Sequence, residues 1–161
     1  MPFYKDINNN VHFIESDYYE YLLPPSSVQI TNEEASQLTA LTLDQIKGKK
    51  ETEIKAERDR RAQSGGYKVG SNWFHSDTFS RTQQLGLVMM GSAMPPGIQW
   101  KTMSGAFVTM TQQLAAQIFA AAAASDAAIY AAAETHIASM KASADPANYN
   151  YSTGWPTVFG E

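Results

Sequence analysis

The chain has 161 residues, a net charge of −4 at pH 7, 43% hydrophobic and 17% charged residues, and no cysteine. Without cysteine, disulfides, thiol catalysis and Cys-ligated zinc are excluded. The acidic balance argues against a surface built to neutralise phosphates, so no nucleic-acid partner is expected, and the length suits one domain or a small module joined to a larger one. The opening "MPFYKDINNN" carries no basic segment followed by an apolar core, so secretion through a cleaved signal peptide is not expected.

In chain order, "FYKDINNNVHFIE" holds two short β-prone runs around Asn8 to Asn10, residues that tolerate the left-handed backbone of a tight turn. The paired prolines of "YYEYLLPPSSVQIT" predict extended chain closing this N-terminal module. Thr31 with Glu34, and Thr42 with Gln45, have the spacing of reciprocal capping boxes, and each predicts a helix start. The second of these helices is expected to run to about Gln63 and to stop at Gly65–Gly66. Leu43, Ile46, Ile54, Ala56 and Ala62 are nearly all of its apolar residues, and its acids and bases alternate in sign. So polar a helix either bridges two modules or lies against another polypeptide.

"YKVGSNWFHSD" and "IQWKTMSGAFVTM" alternate apolar and polar residues around glycine-containing turns and read as hairpins. Between them Phe79, Leu85, Val88 and Met89 have helical spacing over 78–90. Thr111 caps a long alanine-rich helix reaching about Ala142, with Leu114, Ile118, Ala122, Ser125, Ile129, Ala133, His136 and Met140 on one stripe. The neighbour of that stripe is another part of the chain or, by self-association, a second copy. Residues 114–133 are long enough to span a bilayer, but Asp126 near the centre costs about 2.5–3.5 kcal/mol on insertion scales, so no membrane insertion is expected. The tail "PANYNYSTGWPTVFGE" is expected to be irregular, with Tyr149, Tyr151, Trp155 and Phe159 either packed back on the domain or presenting a contact surface.

The fold class is therefore α+β: a small β-rich N-terminal module (1–41), a linking helix (42–64), and a C-terminal module (65–161) of two hairpins and two helices with an aromatic tail. Clustered polar residues invite a catalytic reading at "HSDTFSR", residues 75–81. Adjacent side chains in a strand point to opposite faces, so His75 and Ser76 should diverge, and Asp77 or Ser76 is the preferred type of residue to cap the helix that follows. His12, His75 and His136 lack metal-ligand spacing. No catalytic, cofactor or metal residue is assigned.

Two resemblances add to this. Tyr4, Lys5, Asp6, Asn9, Asn10 and Val11, followed by Ile30, Thr31, Glu34 and Ala35, resemble the start of bacteriophage tail fibre assembly proteins. From about Ile54 onward, "IKAERDRR", "WFHSDTFSR", "IQWKTMSGAFVTM", "HIASMK" and "TGWP" are similar to a domain of unknown function widespread in phage tail proteins. The resemblance implies a non-enzymatic chaperone, acting in the host cytoplasm during phage assembly, that binds the C-terminal region of a trimeric tail fibre or tailspike and promotes its folding. The alternative is a structural component of the virion tail, retained at the fibre tip as a receptor-binding adhesin. Exposure logic nominates Ile46, Ile54, Arg58, Arg61, Tyr149, Tyr151, Trp155 and Phe159 as partner-binding residues.

Overall fold

Turn chemistry and helix caps set the elements of this α+β fold, seen in a computed structural model that describes residues 2–161. Asp6 builds the first turn: its carboxylate accepts from the Asn8 and Asn10 amides, and Asn9 adopts φ +62°. The flanking strands β1 (Phe3–Lys5) and β2 (Val11–Phe13) pair antiparallel, with Tyr4 opposite His12. Residues 18–22, expected to be extended, instead belong to a 3-10 helix (Asp17–Leu22) capped by the Ser16 hydroxyl. Pro24 and Pro25 forbid a helix only where they stand, and the tyrosine side chains before them pack edge to face in the short helix. β3 (Val28–Ile30) then joins the other side of β1, giving the order β2-β1-β3. α1 (Asn32–Thr39) follows, its Thr31 cap accepting from the Glu34 amide. Glu34 does not complete that capping box; its carboxylate pairs with Lys5.

α2 (Leu43–Ser64) opens on a complete capping box, in which Thr42 and Gln45 each bond the other's backbone amide. The chain divides into two compact units, one up to Gln45 and the other Ile46–Glu161. Nearly all of α2 thus belongs to the second unit and is no free linker. Beyond it come β4 (Tyr67–Val69), β5 (Asn72–Phe74), α3 (Thr78–Met90), β6 (Gln99–Lys101), β7 (Phe107–Thr109) and α4 (Gln112–Ala142). Asp77 caps α3 by accepting from the Ser80 amide, and Thr111 caps α4 by accepting from the Leu114 amide. Gly66 sits at φ +78° where a Cβ would collide with the Met103 sulfur, so this turn requires glycine.

The second unit has two apolar clusters, both organised by α4. Its N-terminal half packs Ala115 and Ile118 with Tyr67, Phe74 and Met110. Its C-terminal half packs Ala133, Ile137 and Met140 with Ile54 of α2, and Tyr149, Tyr151 and Trp155 lie over them. Of the two neighbours the α4 stripe left open, the chain's own elements cover Ile118, Ile129, Ala133 and Met140.

Between the clusters, Arg81 bonds both Asp126 oxygens at 2.6 and 3.1 Å and donates to the Ser76 and Ala62 carbonyls at 2.6 Å. Its guanidinium also lies over the Tyr67 ring, 5.1 Å from the centroid. One side chain thereby ties the ends of α2 and β5 to α3 and α4.

Candidate partner-binding surfaces

The nominated partner-binding residues gather at the α2–tail seam, where most are used internally. Ile54 is fully buried and Arg61 nearly so, which corrects their assignment to an exposed contact surface. Arg61 bonds Glu57, the Pro156 carbonyl and both Glu161 carboxylate oxygens, clamping the chain's end onto α2. Tyr149, Tyr151 and Trp155 are half-buried over Ile54, so the tail packs back on the domain. His136, outside any ligand cluster, bonds the Tyr149 hydroxyl at 3.0 Å and packs on Trp155 with ring centroids 5.0 Å apart. Arg58 is half-buried over the Tyr130 ring, and Ile46 is half-buried. Phe159 keeps the most exposure of the eight, with its ring 6.2 Å from that of Trp73.

The polar run at 75–81 does structural work. Ser76 is buried and accepts from the Gly66 amide, while Asp77 holds the start of α3. The Ser80 amide and hydroxyl both donate to Asp77, keeping its carboxyl below the usual carboxylate range. The His75 imidazole bonds no hydroxyl or carboxylate among the described residues. Burial pushes the Tyr67 hydroxyl up to about 12, and it finds no hydrogen-bond partner among them either.

Among the described residues, one uncovered surface in each unit combines exposed aromatic side chains with an open strand edge. Among the described residues of the first unit, only Tyr4, Ile14 and Ala35 are buried apolar residues. Ile7, Phe13, Tyr18, Tyr21, Leu22 and Val28 are exposed, Ile7 by 82% and Tyr18 by 77%. The outer strands β2 and β3 each pair on one side only. Tyr4 of β1 is held by a 2.8 Å bond to Glu20, which pushes its hydroxyl up to about 12, so the 3-10 helix is anchored while its own tyrosines stay outside. Exposed residues between Ile7 and Leu22 were not nominated from the sequence, because a reading of hairpin and extended chain does not say which side chains stay uncovered.

In the second unit a groove of about 460 Å³ lies between the start of α3 and strand β6. His75, Phe79, Ser80 and Gln83 line one side, and Ile98 through Lys101 with Phe107 the other. Phe79 and Phe107 are 71% and 64% exposed.

A family model described as "Domain of unknown function (DUF4376)" matches residues 45–153. The chain belongs to this family. The DUF4376 match begins where the second compact unit begins, so α2 is part of the family's fold and the β2-β1-β3 sheet stands outside it. It takes in Arg81 with Asp126, the groove, and Tyr149 and Tyr151 of the tail. Neither the curated proteins nor the solved structures gave a match.

Proposed function

We propose that this protein is a non-enzymatic assembly chaperone that binds the C-terminal region of a trimeric phage tail fibre or tailspike and promotes its folding in the host cytoplasm. The observation that carries the reading is the imbalance in the first unit. Among the described residues, Tyr4, Ile14 and Ala35 are the buried apolar core of the unit that ends at Gln45, while a larger apolar set and two strand edges stay open. A module of that size with so small a core is marginal by itself. Contact with another polypeptide would supply the missing burial, at roughly 25 cal/mol per Å² of apolar surface covered.

The client's physics fits. Trimeric fibres are rich in non-local β pairing, which folds slowly and leaves edges open to aggregation meanwhile. A helper with its own open edges and apolar side chains shields such intermediates without turnover chemistry. The resemblance of 1–41 to tail fibre assembly proteins points the same way.

Co-expression tests it. A client tail fibre should yield more soluble, SDS-resistant trimer with the chaperone than without, and equal yields refute the reading. Mass spectrometry of purified particles decides between a released chaperone, which is missing from them, and a retained tip protein.

A further inference from the structure

The groove in the second unit follows the open edge of a strand. Side chains alternate between faces in a strand, so a groove on one face meets every second residue. This one meets Ile98, Gln99, Trp100 and Lys101 in succession, as a groove along an edge does. The ladder shows which backbone groups face it. Thr102 donates to the Ala106 carbonyl and Met110 donates to the Ile98 carbonyl, so residues 98, 100 and 102 turn their backbone groups toward β7. Gln99 and Lys101 then turn theirs away from β7, and neither backbone finds a hydrogen-bond partner among the described residues.

Met103 has the same parity, and its amide is satisfied by the Trp73 carbonyl of β5 at 2.9 Å. Extended antiparallel from that bond, β5 would run beside β6, with residue 75 facing 101 and residue 77 facing 99. The chain leaves that line instead, because Asp77 starts α3. Lys101 and Gln99 are left facing a slot walled by His75, Phe79, Ser80 and Gln83.

We propose that this slot binds an extended peptide segment, which adds a strand to the free edge of β6 in the line that β5 vacates. Main-chain bonds to Gln99 and Lys101 supply the pairing. The exposed Phe79 and Phe107 rings take an apolar side chain of the segment. Lys101, which forms no ion pair among the described residues, takes an acidic one. The inference is independent of the fibre reading, since it rests on another unit and would hold for any client with such a segment.

The test uses the full chain, 15N-labelled, and a panel of hexapeptides alternating Val and Thr, with and without one Asp. Binding should slow hydrogen exchange at the Gln99 and Lys101 amides and leave the already paired Trp100 amide unchanged. N-methylation of alternate peptide residues should weaken binding roughly tenfold or more, the loss of one or two main-chain bonds. Lys101→Ala keeps the edge amide and should retain most affinity for the Asp-free peptides, whereas Lys101→Pro removes it and should abolish binding. Phe79→Ala alters an exposed side chain, so it stays folded and should weaken binding of every peptide in the panel. No change at those two amides with any peptide up to about 1 mM, a concentration that detects even weak complexes, overturns the proposal. So does an oligosaccharide that shifts Phe79 while the peptides do not.

Discussion

Replacing Ile54 by alanine tests whether α2 is a docked element or a free arm. Ile54 is fully exposed to protein and not at all to water, packed against Ala133, Ile137, Met140 and the tail aromatics. Three carbons are removed. Their transfer contributes about 2.4 kcal/mol at roughly 0.8 kcal/mol per methylene. A residual cavity of about 75 Å³ adds about 1.8 kcal/mol if nothing collapses into it. The expected loss is therefore about 2.4–4.2 kcal/mol, a large part of the about 5–15 kcal/mol that holds a domain together. The three tryptophans, Trp73, Trp100 and Trp155, all lie in the second unit, so their fluorescence in urea reports that unit alone. With a slope of about 1.5 kcal/mol per molar, the midpoint should fall by roughly 2 M. A shift equivalent to less than about 1 kcal/mol would mean that α2 does not pack on α4, and the nomination of Ile54 as a partner contact would regain its force.

Other outcomes follow from the same contacts. Arg81→Ala should cost about 2–4 kcal/mol, because it leaves Asp126 and the Ala62 and Ser76 carbonyls without their donor, and Arg81→Lys should recover only part of it; equal urea midpoints for wild type and Arg81→Ala would contradict the clamp. Glu51 is held at about 2, below its ordinary 4.5, chiefly by the Lys141 hydrogen bond and then by that of Lys55. A carboxyl depressed on folding stabilises the fold above its unfolded value, and that contribution is lost as pH falls from about 4.5 through about 2. Glu51→Gln should therefore flatten the fall of the urea midpoint across this window, and an unchanged slope would show that the Glu51–Lys141 pair does not link α2 to α4. Tyr18→Ser with Leu22→Ser alters side chains that are exposed in the chain, so stability should change by no more than about 0.5 kcal/mol. The yield of soluble fibre trimer in co-expression should nevertheless drop, and an unchanged yield would remove the 3-10 helix from the client surface.

The local elements were legible because their causes are local. Thr31, Thr42, Asp77 and Thr111 supply caps within three residues of the amides they satisfy, and Asp6 with Asn9 specifies a turn over five residues. The α4 stripe was also readable, since its 3.6-residue period follows from helix geometry. The 3-10 helix at 17–22 was missed because its neighbouring prolines dominated the pattern. The β6 edge was invisible for a different reason: whether a backbone amide is paired depends on which strand lies beside it, and side-chain types do not encode that.

By itself the sequence determined the α+β class, the order of hairpins and helices, and the helix start at residues 76–77, because propensity, capping and turn geometry act over a few residues. Only the tertiary structure decided that Ile54 is buried against α4 and Arg61 is taken up by the tail, that α4 is covered on its apolar stripe, and that β6 keeps an open edge. Those outcomes depend on contacts between residues tens of positions apart, such as Arg61 with Glu161 and Arg81 with Asp126, whose pairing no short window of sequence contains.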